Sequence, residues 1–213
     1  LTGGVGLITP PVGSVLFVGA AIGKISVAQT LRTIWPFYLA ALAAARHSIH
    51  IENSFFSDPL IARLLIRKAR EFRGRVNCEG LGNHACASKR REAVRIHIVL
   101  PDLTDKPIVD AVGASDFHEM LHLGIKVHRW NPRRGWSASR MLHSKVWLID
   151  YQAGSGGLAY VGAANATQRS HLADNEAGIL SNDPAFAAQI HDRIFVPDTT
   201  VASRLESVFN QYV

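Results

Sequence analysis

Cysteine is nearly missing: Cys78 and Cys86 are the only two in 213 residues. So few exclude a disulfide-stapled scaffold, and free thiols in a reducing, intracellular setting are the expectation. No stretch combines a basic start, an apolar centre and a small-residue cleavage site, so a cleavable signal peptide is not expected. Charge is scarce as well. Charged residues make up 19% of the chain, which argues against a long coiled coil or an acidic solvating tail. Hydrophobic residues reach 47%, enough for a sizeable core, and global disorder is excluded. The length fits one domain, or one domain with an appendage. An initiator Met is also missing; the chain opens at Leu1 inside an apolar stretch, as a fragment would.

What charge there is falls unevenly. The formal net charge is +6, yet residues 1–40 carry only Lys24 and Arg32 and no acid. Residues 41–150 hold 18 basic and 11 acidic side chains, and residues 151–213 hold 3 basic and 6 acidic. A basic middle suits an anionic partner such as a phosphodiester, an anionic lipid surface or nucleic acid. Its Lys89-Arg90-Arg91 triplet, taken alone, reads as a solvated face.

From Leu1 to Gly23 there is no charge at all, a run long enough for a membrane span. Six glycines and Pro10-Pro11 interrupt it, and these break a regular helix unless protein satisfies the freed backbone groups. The wording GLITPPVGSVLFVGAAIGKISVAQTLRTIWPFYLA resembles the C-terminal end of the large membrane subunit of TRAP-type dicarboxylate transporters. That resemblance fades near Ala40. A transporter needs many spans and this stretch supplies at most one, so transport is not expected; residues 1–40 read as an apolar appendage.

Beyond it, strand-like and helix-like stretches alternate. Ser48–Phe56, Val94–Leu100, Ile125–Trp130, Leu142–Asp150, Ala159–Gly162 and Glu176–Leu180 read as strands. Asp58-Pro59 reads as an N-cap with Pro at the first helical position, opening a helix over Leu60–Phe72 with arginines outward. Lys106–Leu123 reads as mostly helical, stopped by Gly124. Pro184–Phe195 and Val201–Tyr212 read as closing helices, and residues 73–93 and 131–140 as loops. The expected fold is α/β, a mixed sheet flanked by helices on both faces.

One constellation carries chemistry. Residues 142–150 read LHSKVWLID: His143-x-Lys145, then Asp150 after four intervening residues. In a strand, positions i and i+2 share a face, so His143 and Lys145 are expected to point together, with Asp150 at the strand end orienting its neighbours. The stretch VGAANATQRS follows, with Asn165, Arg169 and Ser170, and then Asn175-Glu176. An imidazole attacks phosphorus or protonates a leaving oxygen near neutral pH. A Lys ammonium and an Asn amide hold non-bridging oxygens. A carboxylate on the other ring nitrogen fixes the tautomer, and Glu176 is the candidate. No step requires a metal or another cofactor.

These residues resemble the phospholipase D superfamily, whose signature is H-x-K-x4-D followed by G-[GS]-x-N. The resemblance covers about residues 41–213 and is strongest to the C-terminal half of two-motif members such as phospholipases D and cardiolipin synthases; SIHIENSFF resembles the strand opening that half. It implies an αβα sandwich, a phosphohistidine on His143, phosphate held by Lys145 and Asn165, and support from Asp150, Ser170 and Glu176. Ala163 departs from the usual Gly or Ser, and the connection from Asp150 to Gly162 is longer than usual. Only one motif is present, because His47-x-x-His50 and His118-x-x-x-His122 lack the following Lys and Asp. Family sites pair two, so either the partner comes from a second identical chain, or the first half was lost and replaced by the transporter-like segment, leaving half an active site.

Elsewhere the plain readings stand. Cys78, His84 and Cys86 are irregularly spaced for zinc, and free thiols are expected. His118 and His122 belong to a surface helix, and His97 and His128 to partly buried structural positions. Trp130, Trp136 and Trp147 either flank a cleft or pack. The resemblances together imply a bacterial enzyme of lipid metabolism, cytoplasmic or membrane-associated, that hydrolyses a phospholipid or transfers its phosphatidyl group to an alcohol. A metal-independent homodimeric nuclease and an inactive phosphate-binding fragment of a fused gene are the alternatives.

Overall fold

The structure is a computed structural model that describes residues 35–93, 95–102, 104, 106–130, 142–152, 156–172, 174, 176, 178–201 and 203–204. The transporter-like residues 1–34 and the loop at 131–141 therefore lie outside the described residues.

Helix α1 (Trp35–Ala44) leads into β1 (Ile49–Asn53), a strand buried along nearly its whole length. Helix α2 (Pro59–Gly74) starts where the sequence indicates: the Asp58 carboxylate accepts from the amides of Leu60 at 2.7 Å and Ile61 at 3.4 Å, and Pro59 needs no donor at that position. Its inner face buries Ile61, Ala62, Leu65, Ile66, Ala69 and Phe72, a helical-period stripe. Strand β2 (Ile96–Pro101), helices α4 (Pro107–Ala114) and α5 (Phe117–His122), and β3 (Lys126–Trp130) follow a short helix α3 (Asn83–Ala93). Gly124 takes φ +90°, the left-handed turn that ends α5.

Strands β4 (Lys145–Gln152), β5 (Gly156–Gly162) and β6 (Gly178–Ser181) complete the second half, with helix α6 (Gln168–Leu172) between the last two. The chain closes through α7 (Pro184–Ile190), a π-helical turn (His191–Phe195), α8 (Val196–Val201) and a two-residue strand β7 (Ser203–Arg204). The seven strands lie in the order β6-β5-β4-β1-β2-β3-β7. Strands β1, β2 and β3 run parallel, and the remaining pairings are antiparallel.

Each sheet face has its own core. On one, Ile49, Ile51, Ile96, Ile98 and Trp147 pack against Leu42, Leu65, Phe117 and Met120 from the helices. On the other, Val99, Trp130, Leu148 and Ala159 pack against Ala187, Ile190 and Phe195. The mixed sheet with helices on both faces is thus as the alternation of elements indicates. His97 and His128 are half-buried and stack with His50 across β1, β2 and β3, at 5.1 and 5.8 Å between successive rings. Among the described residues, no helix is long and apolar enough to cross a membrane.

Three expectations are corrected. Within 73–93, read as loop, α3 forms: residues 83–90 are mostly exposed and show no apolar stripe, but the Ala, Lys, Arg and Glu of NHACASKRREA are good helix formers. Cys78 and Cys86 are joined as a disulfide, with Cα atoms 5.3 Å apart, and are not free thiols. Finally, the helix read over Val201–Tyr212 does not hold at its start, where α8 ends at Val201 and Ser203 pairs with Arg129; residues 202 and 205–212 of it lie outside the described residues. A two-residue edge strand has too little periodicity to be read.

Candidate active site

Strand β4 begins at Lys145, so His143 stands just before it and not within it. The two side chains consequently separate. Lys145 is buried, and its Nζ donates to Ser54 Oγ and to the His143 carbonyl, both at 2.8 Å. His143 is exposed and lines a cavity of about 430 Å³ shared with Glu52, Trp130, Leu142, Ser144, Arg193, Ile194 and Asp198. Burial pulls the Lys145 ammonium down to about 8, with the Glu176 carboxylate working the other way. Burial raises Glu176 in turn, against a hydrogen bond from Ser170; Asp174 adds to the rise, while Lys145 and His171 oppose it. Lys145, Ser170 and Glu176 are therefore electrostatic neighbours, although sequence places them across more than thirty positions.

The carboxyl end of β1 organises the loop that carries Asn165. Asn53 Oδ1 accepts from the amides of Phe55 and Ala166 at 3.2 Å each, and its Nδ2 donates to the Ala164 carbonyl at 3.4 Å. The Ala166 carbonyl accepts from the amides of Ser57 and Asp58 at 2.9 Å each. Asn165 is thereby fixed between two tethered neighbours. Its Oδ1 is buried, and no donor among the described residues reaches it. His171 packs 2.8 Å from Asp58, both side chains 3% exposed, which fastens α6 to the start of α2. Arg169 turns outward, 80% exposed, to Asp174. Asn175 lies outside the described residues.

Asp150 is not brought to this cluster. It sits five positions along β4, about 17 Å away at strand rise. There its carboxylate accepts from the amides of Arg46 at 2.9 Å, His47 at 2.6 Å and Ser48 at 3.1 Å. Its own backbone takes φ +55°, and its amide donates to the Ser48 carbonyl at 2.7 Å. The motif's acid is a staple between β4 and the entry to β1.

The sequence reading missed the residues of β1. Glu52 and Asn53 of β1 and Ser54 just past its end are all buried, three consecutive polar side chains flanked by Ile51 and Phe55. That interruption of the apolar pattern was the available signal. Glu52 accepts a hydrogen bond from the Ser144 hydroxyl and faces Asp198, which also takes one from Trp130. Burial raises Glu52 to about 8, offset in part by Ser144 and reinforced by Asp198. Among the described residues, no group of three His, Cys, Asp or Glu side chains has the placement of a metal site.

A buried lysine, a tethered asparagine and an exposed histidine thus stand near the carboxyl end of β1. Residues 38–196 match the family described as cardiolipin synthase, PLD-like domain, and residues 1–46 match the tripartite ATP-independent periplasmic transporter, DctM component. Cardiolipin synthase A of Yersinia pseudotuberculosis is 27% identical over 107 residues, which are 50% of this chain and 20% of that protein. An uncharacterized protein of Salmonella typhimurium, YgiK, is 53% identical over 36 residues, 17% of this chain and 8% of its own length. The chain thus spans a fifth or less of these curated relatives. Among solved structures, the phospholipase D family member Nuc of Salmonella typhimurium aligns at TM-score 0.55 and 16% identity, covering 80% of this chain and 90% of Nuc. NucT of Helicobacter pylori aligns at TM-score 0.58 and 12% identity, covering 82% and 92%. These likenesses show the fold, and the match across 38–196 shows the family: the chain belongs to the cardiolipin synthase PLD-like domain family of the phospholipase D superfamily.

Proposed function

We propose that residues 41–213 are a phospholipase D-type half-site that hydrolyses phospholipids or transfers their phosphatidyl group to an alcohol. Residues 1–40 form a separate appendage. The observation that carries the reading is Lys145: a buried ammonium that donates to Ser54 and to the His143 carbonyl and, among the described residues, forms no ion pair within 4 Å, with the Glu176 carboxylate acting on it from further off. A buried cation so weakly compensated is costly, and a phosphate would supply the missing charge.

In this mechanism a His143 ring nitrogen attacks phosphorus, forming the N–P bond as the P–O bond to the leaving alcohol breaks. The leaving oxygen takes a proton from a second histidine, which then deprotonates the water or alcohol that cleaves the N–P bond. Lys145 and Asn165 hold the non-bridging oxygens. Glu176, held by Ser170, orients the histidine, and Asp150 serves the site at a distance by fixing β4. The second histidine comes from another copy of the chain, a reading supported by the near-full coverage of Nuc and NucT, whose chains are of similar size. Membrane-surface contact follows from the lipid substrate.

The basic residues 41–150 favour the second reading, a metal-independent nuclease. One assay separates the two. The purified chain is incubated with EDTA on phosphatidylcholine plus ethanol, and separately on single-stranded DNA, beside His143→Asn. Phosphatidylethanol from the parent and not the variant is expected, with at least 10³-fold loss in the variant. DNA cleavage without lipid turnover would replace the lipid reading by the nuclease. Silence on both from a folded dimer would leave an inactive phosphate-binding fragment.

A further inference from the structure

Glu52 lies on β1 with no exposure to solvent. One carboxyl oxygen accepts from Ser144; the other, Oε2, is buried and no hydrogen-bond donor among the described residues reaches it. Glu52 also meets Asp198 on α8, a half-buried carboxyl group at the cavity that takes a hydrogen bond from Trp130 on β3. Two ionised carboxylates this close, one of them wholly buried, repel and leave the buried oxygen unsatisfied; one proton between them removes both penalties. The remaining groups around the cavity are His143 and the exposed Arg193 of the π-helical turn. His50 precedes Glu52 on the same face of β1 and packs edge-on against His191. Burial holds His50 down to about 4, so it adds no positive charge near neutrality.

Ser144 is the single residue between His143 and Lys145. Its side chain is what ties the bend between exposed histidine and buried lysine to the sheet. We infer that Glu52 and Asp198 share one proton, and that the pair is a positioning device which, through the Ser144 hydroxyl, sets His143 and Lys145 for turnover. The positioning role rests on the proposed phosphodiester chemistry; the shared proton does not.

The test compares the full chain with Glu52→Gln, Glu52→Ala and Asp198→Asn. A glutamine amide accepts from Ser144 and donates to the Asp198 carboxylate, which makes the singly protonated arrangement permanent. Turnover is expected to fall at least about tenfold in Glu52→Ala and to be restored by Glu52→Gln. On the alkaline side the parent loses two protons, from the pair and from Lys145, so its rate approaches about a hundredfold fall per pH unit; Glu52→Gln falls about tenfold. Equal slopes, or no rescue by glutamine, would overturn the positioning role.

If the parent turns over nothing at any pH, the phosphodiesterase reading has failed, and thermal unfolding judges the proton. A carboxyl raised on folding from 4.5 to about 8 makes the parent lose stability as pH rises through that window. Both Glu52→Gln and Asp198→Asn are expected to flatten that decline. Profiles that superimpose on the parent would overturn the shared proton.

Discussion

Lys145 and Asp150 belong to one short motif and stand toward opposite ends of one strand, yet their surroundings are opposite in kind. Lys145 is 5% exposed, receives a hydroxyl and a carbonyl as partners, and is driven toward its neutral form by burial. Asp150 is half-buried and accepts three backbone amides that would otherwise end a helix linker unpaired. The buried lysine costs the fold stability, and under the proposed function it is kept for what it offers an anion. The aspartate returns stability by holding backbone. Spacing within a motif therefore does not imply that its members share a site, because a strand separates by about 3.3 Å for each residue it inserts.

The largest effect that would sharpen this contrast is on Lys145. Replacing it by Met keeps the stem and removes the charge. Turnover is expected to drop about 10²–10³-fold, the loss seen when one transition-state donor is removed. Stability to urea should hold or rise by about 1 kcal/mol, because a buried ionised group has been replaced by an apolar one. A Lys145→Met protein that unfolds in urea well below the parent would make the lysine structural and break the contrast.

Asp150 should respond in the opposite sense. Asp150→Ala removes the carboxylate that accepts from three backbone amides and puts at φ +55° a residue that tolerates the left-handed region less well than Asp, so unfolding free energy should fall by about 2–3 kcal/mol. Asn tolerates that backbone and retains one acceptor oxygen, so Asp150→Asn should lose about half as much. Per folded molecule, turnover measured at low temperature should change less than threefold in both. A hundredfold loss in fully folded Asp150→Asn would return the acid to the chemistry.

The same contrast explains what could be read beforehand. Asp58-Pro59, the Gly124 stop and the alternating strands are local signals, fixed by capping chemistry and period, and each is found where the sequence indicates. The grouping of His143 and Lys145 was legible as a motif, but their divergence was not, since the strand starts between them. Nothing near Lys145 in sequence announces Ser54, ninety-one positions away, or the register that sets Asn53 opposite Lys145. Glu52 lies within a legible strand, yet its role is not legible, because an alternating pattern describes which face a residue takes and not what meets it there. Helix α3 escaped for the converse reason: it packs too little to leave a stripe.

A third carboxylate, Asp58, tests whether amide-holding acids behave alike when burial differs. Like Asp150 it accepts backbone amides; unlike Asp150 it is 3% exposed and contacts His171. Burial pushes the Asp58 carboxyl up, but the hydrogen bonds from His171 and from the Leu60 and Ile61 amides together outweigh it, and the group ends below its ordinary 3.8. A carboxyl depressed on folding adds stability that is fully present above its unfolded value and is lost as pH falls through the folded one. Asp58→Asn keeps a capping oxygen and loses the charge, so the expected deficit at pH 7 is about 1 kcal/mol. Measured by urea titration, that deficit should stay constant from pH 5 to pH 7 and close as pH falls below about 4, where the parent's advantage titrates away. A deficit that widens toward acid would mean that burial, and not the amides and His171, governs Asp58, and the likeness between the two staples would end there.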